Sequence, residues 1–149
     1  MTAIILSGIP ATGKSTFCRQ RYFESSTTIS LDILKTRKRE KERLDDCIAN
    51  HESFVIDNTN VSVAERQRFI APTKAAGYKV IGFYFSSKLE DALERNRQRV
   101  GAERIRDEGI LGAAGRLEFP RQTEGFDVLW YVRMDDHGGF TVEEWNDEL

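Results

Sequence analysis

Five short runs of apolar and β-favouring residues punctuate the chain: Ala3–Leu6, Thr27–Ile29, Phe54–Ile56, Val80–Phe85 and Val128–Val132. Most are unbroken by polar residues, so they read as strands buried on both faces. Longer polar stretches separate them and predict helices over 14–24, 32–50, 62–76, 88–99 and 108–117. Strand-helix alternation of this kind predicts an α/β fold, a parallel sheet with helices on both faces. Ser87, just before the fourth of these helices, offers a side-chain N-cap.

The first strand runs directly into Gly8-Ile9-Pro10-Ala11-Thr12-Gly13-Lys14-Ser15, which fits G-x-x-x-x-G-K-[ST]. Strand before and helix after are the context in which that pattern cradles phosphates. Gly8 and Gly13 let backbone N–H groups curl around phosphate oxygens, and the helix N-terminus adds a favourable field for anions. Lys14 supplies a charge to the β- and γ-phosphates of a nucleoside triphosphate, and the Ser15 hydroxyl can ligate Mg²⁺. The segment therefore predicts a nucleotide site using ATP and Mg²⁺.

Three further features lie where a parallel sheet presents its carboxyl edge, the side on which ligands bind. Asp57 ends the run Phe54-Val55-Ile56 and is a candidate for the same Mg²⁺, while the turn-rich Asp57-Asn58-Thr59-Asn60 leaves a capping role open. Asn58 or Thr59 offers an alternative contact to the γ-phosphate. Asp32 follows the second strand and suits either a general base for an acceptor hydroxyl or a first-turn helix acid. Lys35, three residues on, is expected on the same helix face, where it could hold an acceptor phosphate.

Charge clusters extend this picture. The stretch Lys35–Arg43 carries six bases and two acids. Such a run is commonly a solvated helix face, and beside an acceptor pocket it also suits contact with a phosphate backbone. Arg95-Asn96-Arg97-Gln98-Arg99 places Arg95 and Arg99 four apart, on one expected helix face. Arginines there suit a lid that neutralises a transferring phosphoryl group, with Gly101 as a hinge. Arg97, Arg104 and Arg106 have no assigned role.

Composition constrains the rest. At 149 residues and 17.1 kDa, the expectation is a single domain over 1–149, with 40% hydrophobic and 31% charged residues. The formal charge of −2, taken whole, argues against a nucleic-acid partner, but it sums unlike parts. Residues 135–149 hold six acids and no Lys or Arg, reading as an acidic tail; the remainder has 22 bases against 18 acids, a body of +4. Cys18 and Cys47 form no disulfide framework or metal motif, and His51 and His137 belong to no constellation. The opening MTAIILSG lacks the features of a signal peptide, so the expected location is cytoplasmic, without membrane association.

Together, the phosphate loop, Asp32 with Lys35, Asp57-Asn58-Thr59-Asn60 and Arg95…Arg99 resemble the kinase domain of polynucleotide 5′-hydroxyl kinases of the polynucleotide kinase/phosphatase type. Glu118-Phe119-Pro120 and Glu124-Gly125-Phe126 resemble the close of that domain, and the resemblance spans roughly residues 3–133. It implies a P-loop kinase fold with a five-stranded parallel sheet in the order 2-3-1-4-5. It implies ATP contacts from Gly8, Pro10, Ala11, Thr12, Gly13, Lys14, Ser15, Thr16, Arg95 and Arg99, with Thr16 near the α-phosphate. It further implies Asp32 as general base, Lys35 at an acceptor phosphate, and Ser15 and Asp57 at Mg²⁺. The implied partner is a 5′-OH end of DNA or RNA.

Lys35 departs from the arginine of phage-type relatives, exchanging a fork for a point charge. The segment Arg104–Glu108 lacks the proline that relatives often carry, and the chain includes no phosphatase or ligase segment. Two other readings share the scaffold: a kinase for a nucleoside, sugar or antibiotic hydroxyl, and an ATP-binding module without acceptor chemistry.

Overall fold

A computed structural model describes residues 1–21, 26–135 and 137–147. The end of the helix expected over 14–24 and two of the tail acids, Asp136 and Glu148, lie outside the described residues.

Strands β1 (Thr2–Ser7), β2 (Thr27–Ile29), β3 (Phe54–Ile56), β4 (Lys79–Phe85), β5 (Val128–Met134) and β6 (Phe140–Glu144) form one sheet in the order β2-β3-β1-β4-β5-β6. The first five are parallel, with Ile4 opposite both Val55 and Ile81. The order expected for them, 2-3-1-4-5, is observed, but among the described residues the sheet has six strands, not five. The additional strand comes from the segment read as a tail: β6 pairs antiparallel with β5, Val132 opposite Val142. Phe140 and Val142 alternate with polar residues, so β6 buries one side only.

Alternate residues of the sheet feed two cores. Ala3, Ile5, Phe54, Ile56 and Val80 pack with Leu44 and Cys47 of α3 (Arg37–Ala49) and Phe69 and Ile70 of α4 (Val63–Ala75). Ile4, Leu6, Val55, Phe83 and Phe85 pack with Phe17 and Cys18 of α1 (Lys14–Arg21), and with Phe140 from β6. The two cysteines are free and buried, and burial pushes both thiols up. A third cluster joins Ile9 and Ala11 of the phosphate loop to Ala92 of α5 (Leu89–Gln98) and to Ile110 and Ala113 of α6 (Asp107–Arg116). The arginine-bearing helix is thereby docked on the loop.

One expected helix is broken. In place of 32–50 stand a single turn, α2 (Leu31–Leu34), and then α3. Lys35 separates them in a left-handed conformation, φ 75°, donating its N–H to the Leu31 carbonyl, and Thr36 caps α3 by accepting from Arg39 N. Lys35 therefore does not continue the face that carries Asp32. Among the described residues no helix is long and apolar enough to cross a membrane.

Candidate phosphoryl-transfer site

The site forms where β1, β2, β3 and β4 end. Each residue of Asp57-Asn58-Thr59-Asn60 ties a different neighbour to it. Asp57 Oδ2 accepts from the Ser15 hydroxyl at 2.9 Å, and the Thr59 carbonyl accepts from Gly8 N at 2.8 Å. Asn60 is buried at φ 44°; its amide donates to the Leu6 carbonyl, and its own carbonyl accepts from Ser7 Oγ and Arg66 Nη1. Asn58 bonds to α2 and α3. Its Oδ1 accepts from Leu31 N and its Nδ2 donates to Glu40, both at 2.8 Å. With both ends engaged, Asn58 does not offer its amide to a γ-phosphate, which leaves Thr59 of the two.

Lys14 is buried and folded inward, donating to the Ile9 carbonyl at 2.7 Å. Burial pushes its ammonium down to about 8; Asp57 and Asp32 oppose that shift, and Arg99 reinforces it. Three of the candidate residues thus act electrostatically on the fourth. Burial also raises the Asp57 carboxyl, partly offset by the Ser15 hydrogen bond and by Lys14. A hydroxyl and a carboxylate converging at 2.9 Å are hard oxygen donors of the kind Mg²⁺ takes alongside water and phosphate. A cation there would relieve the cost of ionising Asp57, so the pair fits the metal expected from the sequence.

The loop is braced from outside. Gly13 sits at φ 94°, and a Cβ there would lie 2.6 Å from Met134 Cε and 2.8 Å from the Phe140 ring. The β5–β6 hairpin thus closes directly over the glycine. Ser87 does not cap α5, whose N-cap is Lys88; its hydroxyl instead accepts from Ile9 N at 3.1 Å. Pro10, Thr12 and Thr16 lie in or next to the same loop, and Thr12 Oγ1 donates to the Ile9 carbonyl. Ser87 reads in the sequence only as a cap for the helix that follows it, and Phe140 carries no local signal, because both act on the loop across long separations.

The arginines divide. Arg95 is half-buried and donates to the Ala11 carbonyl at 3.1 Å. Arg99 is not on the helix face with Arg95: it is the C-cap of α5, in extended conformation. Beyond it, buried Asn96 clasps the loop by bonding both N–H and carbonyl of Ile105. This clasp makes 97–104 a defined flap, with Gly101 at φ 63° inside it. Arg97 pairs with Glu94 on the surface, while Arg104 and Arg106 line an open concavity of about 860 Å³ with Arg99. A second groove of about 330 Å³ runs from Thr12 and Arg95 to Arg133, Met134 and Thr141.

The late motif is structural. Glu124 holds Arg66, which is fully buried, through Nε–Oε1 at 2.8 Å and Nη2–Oε2 at 3.2 Å. Arg66 in turn reaches the Asn60 carbonyl, linking Glu124 to the end of β1. Glu118 accepts from Val63 N, and Phe126 packs over Gly82.

Comparison with known proteins agrees with this fold. A family profile described as "AAA domain" matches residues 4–120. The bifunctional polynucleotide phosphatase/kinase of Schizosaccharomyces pombe is 24% identical over 127 residues, covering 83% of this chain and 31% of that protein. The chain thus spans about a third of the length of that relative. Among solved structures, Chaetomium thermophilum Kti12 in complex with ADP-AlF3 has a TM-score of 0.66 at 21% identity, covering 90% of each chain. A gluconokinase from Sinorhizobium meliloti has a TM-score of 0.62 at 16% identity, covering 87% of this chain and 82% of its own.

Proposed function

The chain belongs to the AAA-domain family and has a P-loop kinase fold, and from that premise we propose that it is an ATP-dependent polynucleotide 5′-hydroxyl kinase. The observation that carries the proposal is the Ser15–Asp57 pair at 2.9 Å beside the buried Lys14, with Asp32 and Arg99 within electrostatic reach of that ammonium. A nucleotide-binding module needs Lys14 and Ser15; it has no use for a second carboxylate, Asp32, within electrostatic reach of the same cation.

In the proposed reaction the acceptor 5′-hydroxyl gives its proton to an Asp32 carboxylate oxygen as its own oxygen bonds to the γ-phosphorus. The bond from that phosphorus to the bridging oxygen of ADP breaks, leaving ADP and a 5′-phosphate end. Lys14 and Arg99 neutralise charge on the transferring group, and Arg95 holds the loop through Ala11. Mg²⁺, held by Ser15 and Asp57, would supply charge neutralisation between the β- and γ-phosphates. The groove from Thr12 to Thr141 is suited in size and position to the base and ribose of ATP.

The 24% identity to a polynucleotide phosphatase/kinase supports the polymer acceptor, as do the exposed bases on α3, which follows α2 directly. Lys35 stays with the acceptor side in this reading, presented from the α2–α3 turn instead of from a shared helix face. The test is transfer of labelled γ-phosphate from ATP to 5′-OH DNA, 5′-OH RNA, nucleosides and sugars at several salt concentrations. Transfer to oligonucleotides with acceptor affinity falling steeply with salt supports the proposal. Transfer confined to a neutral small molecule, or ATP hydrolysis unstimulated by any acceptor, overturns it.

A further inference from the structure

The candidate base sits on an unusually small element. Helix α2 is one turn long, and its own N-cap, Ser30, makes no side-chain capping bond. The first N–H, that of Leu31, is taken by Asn58 Oδ1 at 2.8 Å, from 27 residues away. Asn58 is held in turn by Glu40, whose Oε2 accepts from Asn58 Nδ2 at 2.8 Å. The amide orientation is fixed from both sides, since a carboxylate only accepts and a backbone N–H only donates. Glu40 is 2% exposed although it lies in the most basic stretch of the chain, and its Oε1 accepts from Arg37 at 2.8 Å. A carboxylate is rarely buried without partners, and here both oxygens have one.

Asn58 also follows Asp57 directly, and Asp57 N donates to the Ile29 carbonyl at the end of β2. The same few bonds therefore set where the turn bearing Asp32 stands relative to the Ser15–Asp57 pair. At the other end of α2 Leu34 packs against the core and the chain reverses through Lys35, so Asn58 is what fixes the N-terminal end of the turn, where Asp32 stands.

We propose that Asn58, locked by the buried carboxylate of Glu40, is a positioning residue for phosphoryl transfer, setting the separation between Asp32 and the Ser15–Asp57 pair. The proposal rests on Asp32 being the base. Neither Asn58 nor Glu40 touches reacting atoms; they act through the backbone of α2. Displacing a catalytic group by about 1 Å suffices for large losses of rate without loss of nucleotide binding.

The experiment compares Asn58→Ala, Glu40→Ala and Glu40→Gln with the unaltered protein. Three readouts are used: transfer to a 5′-OH oligonucleotide, acceptor-free ATP hydrolysis, and hydrogen–deuterium exchange of residues 30–35. In Asn58→Ala and Glu40→Ala, kcat for transfer is expected to fall at least about tenfold, with KM for ATP and acceptor-free hydrolysis within about twofold. Exchange at 30–35 is expected to quicken while the phosphate loop is unchanged. Glu40→Gln, which still offers an acceptor to Asn58, is expected to restore most of the transfer rate. Transfer unchanged in Asn58→Ala, or lost in proportion with ATP hydrolysis, overturns the proposal. Should the unaltered protein phosphorylate no 5′-OH end, the functional reading fails by itself; exchange at 30–35 then decides, and unchanged exchange in Asn58→Ala overturns the positioning role.

Discussion

The Ser15 hydroxyl donates to Asp57 Oδ2 at 2.9 Å, joining the first turn of α1 to the end of β3 across 42 residues. Asp57→Asn preserves that acceptor and removes the charge. Because burial already raises the Asp57 carboxyl, ionising it costs folding energy at neutral pH. The variant is expected to melt no lower than the parent, while the Mg²⁺ concentration for half-maximal activity rises about tenfold or more. A Mg²⁺ titration of turnover checks this, and an unshifted midpoint removes Asp57 from the metal site.

Lys14 makes a prediction about pH. Its folded value, about 8, lies below the ordinary 10.5, so the fold disfavours the cation. That penalty is fully present below pH 8 and fades as pH rises towards 10.5. Bound phosphates favour the cation, so ATP affinity should weaken above pH 8, approaching about tenfold per pH unit. Calorimetric titration across that range would show a flat profile if Lys14 were fully protonated throughout. Lys14→Met should raise the stability of the unliganded protein at pH 7, by at most about 3 kcal/mol, and eliminate stabilisation by ATP.

Arg95 and Arg99 should separate kinetically. Arg95 holds the Ala11 carbonyl, so Arg95→Ala should chiefly raise KM for ATP. Arg99 is free of the helix and acts on Lys14, so Arg99→Ala should chiefly lower kcat, by about a hundredfold or more. Steady-state kinetics of the two variants decide it; identical profiles would mean that the arginines form one unit.

Asp32→Asn should reduce transfer to acceptor by about a hundredfold or more, with ATP binding intact. Single-turnover transfer alongside nucleotide titration tests it, and near-normal turnover would remove Asp32 as the base.

Glu124→Gln leaves fully buried Arg66 without its carboxylate. Losing one partner of such a pair costs about 3–5 kcal/mol. Urea unfolding should show that loss, and through Asn60 the variant should also weaken ATP binding. A change below about 1 kcal/mol would make the pair energetically idle.

Much of this arrangement is legible in the chain because it is local. Apolar runs mark the five parallel strands, and the loop glycines with Lys14 and Ser15 mark the nucleotide site. What was hidden depends on contacts across the fold. Nothing near Lys35 announces a left-handed turn, since no glycine, asparagine or proline stands there. Glu40 reads as one acid in a solvated basic helix until Asn58 arrives from β3. Arg99 fits a helical spacing with Arg95 but falls one residue past the last turn. The alternation Phe140-Thr141-Val142 is a strand signal too short to separate from the acids around it.

That sixth strand has a consequence for how copies of the chain meet one another. An open sheet has two rims, each a row of backbone donors and acceptors that another molecule can extend. One rim is β2, only three residues long. The other would be β5, seven residues including Trp130, Tyr131 and Val132, were it not paired with β6. The rim the molecule presents instead carries exposed Glu143 and Glu144, with Asp147 beyond. Acidic side chains on an outer strand repel an identical strand approaching in register. With Glu143 paired to Arg133 across the two strands at 3.0 Å, Glu144 and Asp147 supply the free charge at this rim, and truncation at Asp135 is expected to uncover β5 and raise light scattering by the chain.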